Sequence, residues 1–322
     1  MLEIGITKGV ETGFELVLLR GETMDSHHSI SMKLELNKEE YENIKNLELV
    51  CYNEQKTDLK LELDFKMRRN KNTIKNKFMV EFLYYDNDVL VGYLGLCNFG
   101  GSTVEVSGMV HPKFRRNGVF KKLYLIAKDE WEKICPLEVL VLCDHTSISG
   151  SAFINFIGGE YVSSEYKMCL NKKDLEPENA NFINLRLATN EDAAEIDRQS
   201  CMYFGVPQKS DDKEEAAGIE KPLVHVDDNF IGYMAELNGE IIGKIHISIN
   251  DNKGFIYGFG VLKDFRGRGY GRGILSSTLG LLIKKSVDSI FLEVATENKS
   301  ALSLYESCGF KEISVMDYYV VS

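Results

Sequence analysis

The sequence predicts an α/β (α+β) protein of two tandem domains, each a mixed, mostly antiparallel sheet flanked by helices. Three observations predict it. The chain repeats itself once at a spacing of 151 residues. Its apolar residues switch between periods of two and of 3.6. An Asn-Gly dipeptide joins two β-rich stretches in the second half.

The repeat rests on three anchors in one register. Val89–Gly92 (VLVG) reappears as Glu240–Gly243 (EIIG), and Phe114–Gly118 (FRRNG) as Phe265–Gly269 (FRGRG). Val110 and Val261 keep the same offset. At 322 residues the chain is long enough for two domains, taking roughly 150 residues for each. The polar stretch Asn171–Asn181, with Pro177, reads as the linker. It divides the chain into residues 1–175 and 176–322. Residues 1–30 have no counterpart in the second half and stay unassigned.

In the second half, Phe182–Ala188 alternates apolar and polar residues and reads as a strand. Thr189, with Asp192 three residues on, is an N-cap for the helix that follows. Tyr233–Leu237 and Glu240–Ile249 flank Asn238-Gly239, which favours the positive φ angles of a type I′ turn, so they form a hairpin. Gly254–Val261 is the next strand. A helix runs from about Gly271 to Lys285, with Leu275, Leu279 and Leu282 on one stripe. Ser289–Ala295 is a strand, Ser300–Ser307 a helix and Ser314–Val321 a closing strand.

Composition bounds the function. Lys and Arg number 38 against 49 Asp and Glu, a net charge of −11, which disfavours non-specific binding to nucleic acid or anionic membrane. The seven cysteines are scattered without a CxxC pair, so no zinc site and no disulfide framework is expected. The N-terminal stretch has no basic region ahead of its apolar residues, and no apolar run approaches the ~20 residues of a membrane span. The expectation is a cytoplasmic protein with no metal.

Arg266-Gly267-Arg268-Gly269-Tyr270-Gly271 has the form R-x-x-G-x-G, follows a strand and opens a helix. The first N–H groups of a helix lack intrahelical acceptors and carry the positive end of its dipole. Glycines let an anion approach them, and Arg266, Arg268 and Arg272 add charge. The loop therefore predicts a phosphate or pyrophosphate site. A dinucleotide-binding loop belongs to an early βαβ unit, and a Walker loop needs a G-K-[ST] that is missing here.

The loop, taken with Leu292–Phe310 (LEVATENKSALSLYESCGF), resembles the GNAT superfamily of acyl-CoA-dependent N-acetyltransferases. Within it, the subgroup of ribosomal-protein alanine N-acetyltransferases is the most similar. The resemblance covers residues 183–322 well and the first half more in fold than in site. It implies acetyl-CoA as co-substrate and a small-molecule or peptide amine as acceptor. The backbone of Gly267–Arg272 would hold the CoA pyrophosphate, and Asn298 the pantetheine arm. The strand ending near Val261 would splay from its neighbour, and the Val261 N–H would polarise the thioester carbonyl. Tyr305 would protonate the leaving thiolate. Glu293 would take a proton from the substrate ammonium, which requires a desolvated carboxylate sharing a cleft with Tyr305.

The first half departs from this pattern. Phe120 stands where Gly271 does, and crowding of a pyrophosphate is expected there. Phe156 is matched to Tyr305, with one residue fewer in that segment, and Leu142 to Glu293, so both proton-transfer groups are missing. His111, Asp144 and His145 remain as titratable groups. Lys209–Asp228, with seven acids against three lysines, attracts a cationic amine or serves as a solvated loop. The reading is an acetyltransferase with its active site in the second half. The alternatives are a non-catalytic acyl-CoA-binding or interaction module, and a tandem-domain aminoacyl transferase, which has no need of the R-x-x-G-x-G loop.

Overall fold

The computed structural model describes residues 3–8, 13–19, 27–67, 78–99, 101–174, 183–204, 230–250 and 252–322. The acidic segment Lys209–Asp228 and most of the expected linker lie outside them.

The chain forms two compact units, residues 1–164 with 314–322, and residues 165–313. This differs from a division at 175. Unit 1 takes its last strand from the far end of the chain. Its sheet runs from β1 (Glu3–Lys8), β2 (Gly13–Leu19) and β3 (His28–Lys33) through β4 (Met79–Asp86), β5 (Val89–Cys97), β6 (Thr103–Val110) and β7 (Glu138–Asp144). Antiparallel to β7 lies β14 (Lys311–Val321), with Met316 opposite Asp144 and Val321 opposite Val139. Helices α1 (Lys38–Gln55), α2 (Leu63–Met67), α3 (Val119–Glu132) and α4 (Ile148–Ile157) complete this unit, and β8 (Glu160–Asn171) leads out of it.

Unit 2 comprises β9 (Asn184–Leu187), α5 (Ala193–Phe204), β10 (Phe230–Leu237), β11 (Glu240–Asn250), β12 (Lys253–Val261), α6 (Tyr270–Lys284), β13 (Ser289–Ala295) and α7 (Lys299–Ser307). Residues 165–171 of β8 close its sheet against β13, Glu165 opposite Ala295 and Asn171 opposite Ser289. Apart from the parallel β12–β13 pair, this sheet is antiparallel.

The duplication is seen element by element. β7 and β13, α4 and α7, β8 and β14 begin at 138 and 289, 148 and 299, 160 and 311, each pair 151 apart. No residue is lost in the segment before the last strand, so the expected match of Phe156 to Tyr305 is corrected. Ile154 is the counterpart: it is buried, and Gly159 N–H donates to its carbonyl as Phe310 N–H does to that of Tyr305. Phe156 is 64% exposed.

Local chemistry accounts for the elements. Asn238 and Gly239 both have positive φ, as the hairpin turn requires. Thr189 forms a capping box with Asp192, whose carboxyl also receives both terminal nitrogens of Arg186 at 2.7 Å. Those hydrogen bonds hold Asp192 down at about 2. Ile245, Ile247 and Ile256 turn one face of the sheet toward Leu275, Leu279 and Leu282 of α6, making the core of unit 2.

Candidate active site

The site builds up around the end of β12. Its ladder with β11 pairs Asn250 with Lys253 through His246 with Tyr257, then slips: Lys244 faces Gly260 and Gly243 faces Val261. Three steps on β12 answer two on β11, so β12 carries a β-bulge. Gly258, inside the bulge, has φ +57, a left-handed value that side chains rarely adopt. The copy in unit 1 keeps β5 and β6 in unbroken register from Gly92–Val110 to Cys97–Glu105.

After Ile256, just ahead of the bulge, β12 parts from β13, as β6 parts from β7 after Val106 in unit 1. The parallel β12–β13 register runs from Lys253–Ser289 to Ile256–Leu292 only, while β12 continues to Val261 and β13 to Ala295. Leu262 N–H donates to Ile242 C=O at 2.8 Å. Antiparallel residues alternate in direction, so the N–H and C=O of Val261 point away from β11, into the gap beside β13. Arg266 Nε caps that carbonyl at 2.8 Å, leaving the N–H to face the gap.

The glycine loop follows. Gly267 and Gly269 have φ of +74 and +84, and a Cβ on either meets only open space, so the backbone angle is what calls for glycine. The first α6 hydrogen bond shown is from Gly273 N–H to Gly269 C=O. The N–H groups of Tyr270 and Gly271, ahead of it, have no intrahelical acceptor. Arg268 is exposed at the loop. Arg266 lies over the Tyr203 ring at 5.8 Å, and Arg272 donates to the Ser307 hydroxyl at 2.6 Å. Tyr270 packs near Phe265. Asn298 caps α7, its side-chain oxygen accepting from Ala301 N–H at 3.1 Å.

Tyr305 projects from α7 into the core, near Phe259 and Phe310. Burial pushes its phenol up to about 12. Among the described residues no group hydrogen-bonds its hydroxyl. Glu293 does not meet the expectation of a desolvated carboxylate sharing a cleft with Tyr305. On β13, Ile290, Leu292 and Val294 turn into the core that holds Tyr305, and Glu293 lies on the other face, exposed and opposite Lys167.

The expectation for Phe120 changes too. Rather than standing over the loop, its ring turns inward, edge-on to Phe153 at 4.7 Å and against the Cα of Gly108. In unit 2 the pair is reversed: Phe259 is on the strand and Gly271 on the helix, where a Cβ would lie 4.0 Å from Phe259 Cζ. Each copy fills the space once, from opposite sides.

Sequence reasoning missed Lys244 and His246. Lys244 is 1% exposed, donates from Nζ to Ser200 Oγ at 2.5 Å, and burial lowers it to about 8. His246 stacks on Tyr257 at 5.5 Å. The signal available was Gly258-Phe259-Gly260, since glycines within a strand mark bulges and close approaches.

This fold, in both units, is that of the GNAT acetyltransferases. Residues 192–310 match the family model described as the acetyltransferase (GNAT) family. An acetyltransferase of Pectobacterium atrosepticum is 34% identical over 95 residues, 30% of this chain and 66% of the relative. One of Sodalis glossinidius is 33% identical over 93 residues, 29% and 64% of the two chains. The chain thus spans a little under two thirds of these curated relatives. Among solved structures, a GCN5-related N-acetyltransferase from Sphaerobacter thermophilus superposes with TM-score 0.69 at 19% identity, over 90% of this chain and 95% of that one. A tandem GNAT protein from the clavulanic acid biosynthesis pathway gives 0.68 at 13%, over 92% and 98%. Among the described residues no helix is long and apolar enough to cross a membrane.

Proposed function

We propose that the chain is an N-acetyltransferase that moves an acetyl group from acetyl-CoA to a primary amine, with its active site in unit 2. The observation that carries this reading is the gap between β12 and β13, with the Val261 N–H facing it and the glycine loop at its end. An extended pantetheine arm fits such a gap by pairing with strand backbone. The loop and Arg268 take the pyrophosphate, Asn298 lies beside the arm, and Val261 N–H stabilises the oxyanion. Tyr305, kept protonated by burial, donates to the leaving thiolate. Glu293, exposed at the opposite face, draws in a cationic acceptor.

In unit 1, Ile154 and Leu142 stand at the places of Tyr305 and Glu293, and the ladder has no bulge. Unit 1 therefore lacks both proposed proton-transfer groups. The LEV…Asn…Leu-Tyr…Gly-Phe stretch makes a peptide with N-terminal alanine one acceptor to try.

Calorimetry with acetyl-CoA and a thiol-release assay over a panel of amines test the reading. Binding with turnover supports it. Binding without turnover of any amine favours an acyl-CoA-binding module, and no binding removes it.

A further inference from the structure

We propose that His246 takes the proton from the acceptor nitrogen in unit 2. This rests on the acetyltransferase reading above and adds a residue to its chemistry.

Tyr305 is on the face of the gap that α6 and α7 cover, and the acceptor enters from the face that α5 partly covers, where His246 is 9% exposed. Side chains alternate along strands. Ile245, Ile247 and Ile256 point into the core, so Lys244, His246 and Tyr257 point to the acceptor side, as Glu293 does on β13. Lys244 is unsuited to the task. Its ammonium donates to Ser200 Oγ, whose hydroxyl donates to Ile196 C=O at 2.8 Å, so the hydrogen bonds end on backbone. Glu293, on β13, borders the gap but is exposed and opposite Lys167, whereas His246 lies on β11, behind β12.

His246 occupies a place built for an imidazole. A Cβ on Gly232 would lie 2.9 Å from its Cδ2, and one on Gly258 would lie 2.6 Å from its Nδ1. Both approaches are closer than real side chains make, so both neighbours are glycine. The Tyr257 ring lies nearly parallel, 15° from coplanar. Gly258 belongs to the bulge, so the imidazole sits where β12 slips against β11, on the side of β12 away from the gap.

The other copy in the same chain supplies the comparison. Gly95 stands at the place of His246, and Lys66 Nζ, Tyr93 Oη and Glu81 Oε2 fill the space above it. Bulge, imidazole and phenol are together in unit 2, and none of the three is at the matching positions of unit 1. Packing alone does not tie an imidazole on one face of a sheet to a phenol on the other.

The step balances. The amine nitrogen bonds to the thioester carbon, and its proton passes to His246 directly or through water. The C–S bond breaks with its electron pair on sulfur, which takes the Tyr305 proton. The imidazolium proton returns to the tyrosinate through solvent. Amine and acetyl-CoA become amide and CoA thiol. Titratable groups on the elements packed here include Lys244 on β11, Tyr257 on β12, and Cys201 and Tyr203 on α5. β10 presents Phe230, Gly232 and Met234. α5 presents Gln199, Ser200 and Tyr203, and its Asp197 and Glu195 act on Lys244.

The test uses the full chain with His246→Gln and with His246→Gly, the latter copying Gly95. Acetyl-CoA affinity is measured by calorimetry, and kcat/KM against pH by thiol release with benzylamine, spermidine and an alanine-led hexapeptide. Both variants are expected to bind acetyl-CoA as the unaltered chain does, to lose about 10²-fold in kcat/KM, and to lose the acidic limb of the profile. Added imidazole should restore part of the activity of His246→Gly. A kcat/KM within about threefold of the unaltered chain, with the acidic limb in place, overturns the proposal. A readout free of any amine is the His246 ring-proton NMR signal, assigned by its absence from His246→Gln. It should shift when acetyl-CoA is added, and a signal that stays put overturns the proposal as well. Failure of the unaltered chain to bind acetyl-CoA is a separate result that removes the acetyltransferase reading itself.

Discussion

Arg266 folds back on the strand before it and donates from Nε to the carbonyl of Val261 at 2.8 Å; one repeat earlier Arg115 does the same to Val110 at 3.1 Å. The bond joins the glycine loop to the strand end that carries the inward-facing N–H. In unit 2 it ties the predicted phosphate site to the predicted oxyanion site. Arg266→Met is expected to weaken acetyl-CoA binding about tenfold, the equivalent of roughly 1.4 kcal/mol. Arg115→Met should leave affinity and turnover unchanged. Calorimetry on both variants checks this, and equal losses would put the cofactor in both copies.

Tyr305→Phe keeps the ring and removes the proton. If the phenol protonates the thiolate, kcat should fall about 10²-fold with acetyl-CoA affinity nearly intact. Single-turnover rates locate the loss in chemistry. An unchanged single-turnover rate would falsify the role.

The exchanged places of phenyl and glycine predict a rescue. Gly271→Phe adds a ring where Phe259 already fills the space, and overpacking should cost about 1–3 kcal/mol. Phe259→Gly alone leaves a cavity and should cost at least about 3 kcal/mol. The double variant has the arrangement of Phe120 and Gly108, so its cost should be smaller than the sum by more than about 1 kcal/mol. Chemical denaturation of the four proteins measures the coupling, and additive losses would count against the match.

Lys244 predicts a pH dependence of stability. Burial lowers its folded pKa to about 8, so between pH 8 and its unfolded value the unfolded chain binds the proton more tightly. Stability should therefore rise with pH through that window. Lys244→Met should flatten the rise and raise stability at neutral pH by about 1–3 kcal/mol, since it no longer buries an ammonium. Thermal unfolding across the window reads both effects.

Deletion of residues 314–322 should destabilise unit 1, despite their distance in sequence from the rest of it. β14 covers the β7 edge, Asp317 accepts from Ser164 and pairs with His145, and Tyr318 accepts from Lys60. Hydrogen exchange in β7 of the truncated chain should rise by orders of magnitude. Protection equal to that of the full chain would show that the strand is dispensable.

The sequence by itself determined what depends on neighbours in the chain. The repeat, the Asn238-Gly239 turn, the Thr189–Asp192 cap and the loop from Arg266 to Gly271 all follow from backbone angles and periodicity within a few residues. Tertiary structure decided what depends on distant partners. β8 and β14 are copies of one strand, and nothing local says that β14 completes unit 1 while residues 165–171 complete unit 2. The inward turn of Phe120, on α3, depends on Gly108, twelve positions away on β6. The outward Glu293 follows from which face of β13 the helices cover. His246 looks like any strand histidine until Gly232, Gly258 and Tyr257 close around it, because shape complementarity between strands is a property of the packed sheet, not of any segment within it.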